Sequence, residues 1–115
     1  MERQMTINEN VARYIWHDIL QCSRTPLKWS FDIRTVQVIE NGTTFRVNAP
    51  FVRGWVKIQQ ETDGHFKVSI KPDTFGSELT YESVSSEKLI PTIDRVLSQG
   101  ILTENTEPHN YRVAV

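Results

Sequence analysis

The side chains able to do chemistry in this chain are few and scattered. Histidine occurs at His17, His65 and His109, and cysteine once, at Cys22. A zinc-binding helix needs two histidines at i and i+4, and no histidine here has a His, Cys or carboxylate at a recognisable ligand spacing. His17 and Asp18 are adjacent, so on a helix they are expected to point in different directions. All three histidines therefore read as structural or surface residues, and no metal is expected. No serine lies in a G-x-S-x-G elbow. The five glycines are dispersed, so no loop is built to cradle phosphate. Glu61, Asp63, Asp73 and Glu78 stand near turns, where carboxylates solvate loops, and the D-x-D-x-D-G spacing of a calcium loop is missing. Catalytic residues and cofactors are thus not expected, and neither is a deep pocket of convergent polar groups.

Composition narrows the classes further. A chain of 115 residues with 38% hydrophobic content can bury one ordinary core, and three tryptophans place it among globular proteins. Thirteen Lys and Arg against fourteen Asp and Glu give a net charge of −1, which argues against a protein held to nucleic acid by its overall charge, though not against a local patch. One cysteine cannot form an intramolecular disulfide, and in its apolar helical stretch Cys22 is expected to be a small buried thiol. No apolar run approaches membrane-spanning length and no basic-then-apolar segment opens the chain. By elimination a cytoplasmic, reducing location is expected, with no membrane partner.

Two amphipathic segments bracket the chain. Thr6-Ile7-Asn8-Glu9 matches the S/T-x-x-E capping box, and Val11, Ile15, Ile19 and Cys22 then recur at helical spacing, widened by Ala12, Trp16 and Leu20. This helix should end near Ser23, before Pro26. Near the other end, Ser85 or Ser86 can cap a second helix whose apolar stripe is Leu89, Ile90, Ile93, Val96 and Leu97. Pro91 is taken to lie near its start and Gly100 to stop it.

Between them the turns set strand registers. Asn41-Gly42 suits a two-residue type I′ loop, which pairs Glu40 with Thr43, Val38 with Phe45 and Val36 with Val47. Around Asp63-Gly64 a two-residue loop would split the apolar residues between faces. A three-residue Thr62-Asp63-Gly64 loop, with Gly64 left-handed, sets Ile58 opposite Val68 and Val56 opposite Ile70. Phe51 to Arg53 fall in a loop, Pro50 and Gly54 suggest a strand starting at Gly54, and a last strand runs through Glu78 to Val84. The expected order is α-β-β-β-β-α: an α+β two-layer sandwich, with a four-stranded antiparallel sheet and both helices on one face. It forms a single domain over 1–115, with an ordered core over about 6–100 and a tail over 101–115 in which Tyr111 to Val115 either adds a short strand or stays mobile.

The leading helix, the NG hairpin, the segment FRVNAPFVRGWVKIQQETDGHFKVSI and the helix after SSEK resemble a group of small prophage and mobile-element proteins. These share a leading helix, a "VKI" strand, a hairpin with an aromatic opening its second strand, and a closing helix. The likeness covers residues 7–98. It implies an αββββα fold and an intracellular, bacterial setting, and it carries over no activity and no site residue.

One surface remains. In the chosen register Trp55 stands opposite Lys71, Lys57 opposite Ser69 and Gln59 opposite Lys67, all facing away from the core. Arg46 and Asn48 project from the same side, with Phe51 and Arg53 on the adjoining loop. Trp55 among Arg46, Arg53, Lys57, Lys67 and Lys71 has the composition that stacks and neutralises single-stranded nucleic acid. A plain solvated face, with Lys71 laid over Trp55, ranks ahead of it, then a surface covered by a second copy, the C-terminal tail or another protein, and nucleic acid ranks last because the acidic remainder of the chain opposes it. The expected function is a non-enzymatic binding or adaptor domain acting through a protein partner or homodimer. Single-stranded nucleic-acid binding on the Trp55 face is the alternative.

Overall fold

Thr6 opens the first helix in the manner its sequence requires. The Glu9 N–H donates to Thr6 Oγ1 at 3.1 Å and the Thr6 N–H donates to Glu9 Oε1 at 2.9 Å, closing the capping box. The structure, a computed structural model, describes residues 6–73 and 78–98. Helix α1 is α-helical over Ile7–Arg13, then widens into a π-helical stretch over Tyr14–Ile19 and tightens to a 3₁₀ turn over Leu20–Cys22. The wide turns still stack Ile19 on Ile15, which are four apart, and both are buried. They do not return the residue seven after Ile15 to the same side, so Cys22 is exposed rather than buried. A second 3₁₀ segment, Thr25–Trp29, drops the Trp29 indole into the interior before Ser30, left-handed at φ 50°, turns the chain into the sheet.

Among the described residues the sheet has five antiparallel strands in sequence order: β1 (Phe31–Ile39), β2 (Gly42–Asn48), β3 (Arg53–Gln60), β4 (Phe66–Pro72) and β5 (Leu79–Val84). The expected count of four is therefore one short. Each hairpin contributes both of its strands, and Leu79–Val84 pairs with β4 as a fifth.

The two hairpins meet their expectations differently. In the second, Ile58 faces Val68 and Val56 faces Ile70 as expected. The Glu61 N–H donates to the His65 carbonyl at 2.7 Å across a Thr62-Asp63-Gly64 loop, with Gly64 left-handed at φ 90°. In the first, Ile39 pairs with Gly42 and Val38 with Thr43, so the loop is Glu40-Asn41 and the expected register is overturned. The shift is of two residues, which keeps Val36 and Val38 on the core side. Its cause is Gly42, where a Cβ would lie 1.8 Å from the Ile58 carbonyl oxygen. Gly42 is needed for close approach to β3, and Asn41 at φ 57° supplies the left-handed turn residue instead.

Strand β1 breaks register between Asp32 and Gln37. Within this bulge Thr35 Oγ1 donates to the Asp32 carbonyl at 2.6 Å and accepts from the Arg46 N–H at 2.9 Å, replacing a ladder bond.

Inward-facing Phe45, Val47, Val56, Ile58, Val68 and Ile70 are fully buried. They share one core with Ile15, Ile19 and Leu20 of the first helical segment and with Leu89, Ile93, Val96 and Leu97 of helix α2 (Ser86–Leu97). Each large side chain so buried contributes roughly 1.5–3 kcal/mol. Both helical layers thus cover one face, and among the described residues no helix packs on the other face of the sheet. Ser85 is the N-cap of α2 but makes no side-chain cap bond, and Pro91 lies inside the helix rather than in its first turn. Pro91 leaves the carbonyl four residues back without its helical partner. Gly100 and Tyr111 to Val115 lie outside the described residues.

Candidate functional site on the open sheet face

Strands β2, β3 and β4 contain five charged residues, and all five are positive: Arg46, Arg53, Lys57, Lys67 and Lys71. Each occupies a register position alternate to the buried apolar set, so each projects from the open face. That leaves eight cations against fourteen acids for the rest of the chain. A net charge of −1 therefore conceals a segregated one.

The expected cross-strand neighbours are present. Trp55 pairs with Lys71, Lys57 with Ser69 and Gln59 with Lys67 across β3 and β4, while Arg46 pairs with Trp55 and Asn48 with Arg53 across β2 and β3. Arg53 opens β3, which therefore begins one residue before Gly54. Trp55, Lys57 and Lys67 are half-buried, and Lys71 and Arg53 are exposed. Ser69, at the centre of β4, is buried beneath its longer neighbours.

The cation over the Trp55 ring is Arg46, with its Cζ 5.9 Å from the ring centroid, and not the expected Lys71. Arg46 is held there from its far side. Its Nη1 donates to Asp73 Oδ1 at 3.1 Å and its Nη2 to Asp73 Oδ2, a bidentate pair. Asp73 sits just beyond β4, anchored by its own N–H donating to the Arg53 carbonyl at 2.8 Å. Hydrogen bonds from the Arg46 guanidinium hold the Asp73 carboxyl below its ordinary range, against a smaller desolvation effect, and raise Arg46 in turn. Arg53, Lys57, Lys67 and Lys71 form no ion pair with a described residue.

Phe51 does not join this group. It is 60% exposed, but its N–H donates to the Leu97 carbonyl at 3.0 Å, which ties its loop to the helix layer.

The histidines and carboxylates are dispersed among local contacts. His17 Nδ1 lies 2.9 Å from Asp18 Oδ1, so these adjacent side chains meet after all. Both are exposed on the widened turn, where a pair of this kind is worth little. His65 Nδ1 lies 3.2 Å from Asp63 Oδ2, and the His65 N–H bond to Asp63 Oδ1 holds that carboxyl below its ordinary range. Glu61 Oε1 accepts from the Ser83 N–H at 3.2 Å. Glu78 is exposed, and His109 lies outside the described residues. Among the described residues no three His, Cys, Asp or Glu side chains converge to hold a metal, and no helix is long and apolar enough to cross a membrane.

Two apolar clefts lie on the helix side instead. One, of about 470 Å³, is lined by Trp16, Leu20, Cys22, Pro26, Leu27 and Phe31, and the other, of about 320 Å³, by Ala12, Trp16, Val36, Val38 and Thr43. Trp16 borders both, its indole N–H donating to Thr43 Oγ1 at 3.1 Å. Nothing in the spacing of residues 24–30 foretells the 3₁₀ segment that walls the first cleft.

Set against protein-family models, curated proteins and solved structures, the chain finds no match in any of the three.

Proposed function

We propose that this chain is a non-enzymatic binding domain whose open sheet face takes single-stranded nucleic acid. The observation carrying this reading is the charge of the three central strands: five cations, no acid, and Trp55 among them. A single strand needs cations for its phosphates and an aromatic surface for its unstacked bases, and this face offers both on a rigid support. Charge segregation favours this reading over a protein partner, which the overall balance of charge had placed first. The free Cys22 thiol suits an intracellular setting.

The test is fluorescence anisotropy with a labelled oligodeoxyadenylate across a salt series. Binding should weaken with salt along a logarithmic slope of about −2 to −3 for three or four neutralised phosphates. Trp55→Ala should weaken it by roughly 1–3 kcal/mol. No binding at low salt overturns the proposal.

A protein contact has its own supporting observation. On edge strand β1, Ile33 is 67% and Val38 49% exposed, which suits a second copy or another protein. Against it, the bulge carries Arg34 clamped bidentately to Asp32, at 3.1 Å for both side-chain bonds, and such devices discourage edge pairing. Light scattering after size exclusion decides: a dimer that Val38→Lys dissociates supports self-association, and a monomer at high concentration removes it.

A further inference from the structure

Arginine ordinarily meets nucleic acid through its N–H edge, at phosphate or base. Arg46 has both of its Nη groups turned to Asp73. The pair fixes the guanidinium with its Cζ 5.9 Å from the Trp55 ring centroid, in a side chain that is 38% exposed. Guanidinium planes stack bases as aromatic rings do. A free arginine would lose much rotamer freedom to hold that pose, whereas a bidentate carboxylate fixes it before any ligand arrives.

We infer that Asp73 is a positioning residue: it holds Arg46 beside Trp55 so that the two form one stacking platform for adjacent bases of an unpaired strand. The inference rests on the nucleic-acid reading above and names its ligand more closely, as a strand with accessible bases rather than a duplex or a bare polyanion. Labour is then divided on the face. Lys57, Lys67 and Lys71, without ion pairs to described residues, meet phosphates. Arg46 and Trp55 meet bases. Among the described residues Asp73 is the carboxylate that hydrogen-bonds a member of this group, and its negative charge works against binding in any purely coulombic account.

That opposition gives the test a sign. Anisotropy titrations with labelled oligodeoxyadenylate should show Asp73→Asn binding about two- to fivefold more weakly, the loss of an ordered cation–aromatic pair, although the variant gains positive charge. Arg46→Lys keeps the charge and loses the plane, and should weaken binding similarly with an unchanged salt slope. Lys71→Ala should instead shrink the slope by about 0.7. On an abasic strand of equal length the Asp73→Asn loss should vanish. If the wild-type protein binds and Asp73→Asn binds as well or more tightly, Asp73 is only a screening charge and the inference falls alone. If the wild-type protein binds no strand at low salt, the functional reading falls and takes the inference with it.

Discussion

Gly42 and Ile58 are packed backbone to backbone: a Cβ on Gly42 would lie 1.8 Å from the Ile58 carbonyl oxygen and 2.9 Å from the Gln59 Cα. Neither obstacle is a flexible side chain, so β2 and β3 would have to separate to admit any side chain there. Gly42→Ala is expected to cost at least about 3 kcal/mol, read as a lower urea midpoint with little change in slope. Gly64→Ala makes the comparison. Gly64 has open space around the Cβ position but a φ of 90°, so conformational strain alone should cost roughly 1–2 kcal/mol. Equal losses at the two sites would show that the close approach is not what Gly42 provides.

The same contact explains what the sequence could and could not reveal. Asn-Gly is a strong local turn signal, and local reasoning assigned both residues to the loop. The requirement on Gly42 comes from β3, which is distant in sequence and invisible to turn statistics. The second hairpin was legible because its apolar residues, Val56, Ile58, Val68 and Ile70, allow only one register with a dry core. Outward placement of Trp55, Lys57, Lys67 and Lys71 followed from that register without further information. Arg46 over Trp55 was not legible, because it depends on Asp73 capturing a side chain that had several places to go. Cys22 failed for a different reason: periodicity arguments assume 3.6 residues per turn, and the helix widens at Tyr14.

Trp29 and Asp94 tie the second 3₁₀ segment to α2. The Trp29 indole N–H donates to Asp94 Oδ1 at 3.0 Å, with the ring fully buried and Asp94 only 7% exposed. Asp94→Ala strands that buried donor and should cost about 1–3 kcal/mol in chemical unfolding. Asp94→Asn retains an acceptor oxygen and should lose less. Lys28, with Nζ 3.8 Å from Asp94 Oδ2 and mostly exposed, adds little, so Lys28→Ala should fall within about 0.5 kcal/mol of wild type.

Cys22 should react in the folded protein. Its thiol is exposed on the 3₁₀ turn Leu20–Cys22 and donates only a long contact, at 3.6 Å, to the His17 carbonyl. Ellman's reagent is expected to titrate one thiol per chain under native conditions, at a rate that denaturant raises only modestly. Modification that waits for unfolding would mean the helix closes with ordinary turns and buries the residue.

Acid should loosen the open face through Asp73. A carboxyl whose value is lowered in the folded state stabilises fully above its unfolded value, near 3.8, and loses that contribution as pH falls through the folded one. Asp32, lowered by hydrogen bonds from Arg34, and Asp63, lowered by the His65 N–H, act in the same sense. The melting temperature should therefore be flat with respect to these groups at neutral pH and decline below about pH 4. All three carboxylates are at least partly exposed, so each step should be small and should shrink further in high salt. Asp73→Asn removes one of the three titrations and should flatten the decline relative to wild type. An acid profile identical in Asp73→Asn and wild type would show that the Arg46–Asp73 pair contributes no net stability, leaving its bidentate geometry to matter only for how Arg46 is presented beside Trp55.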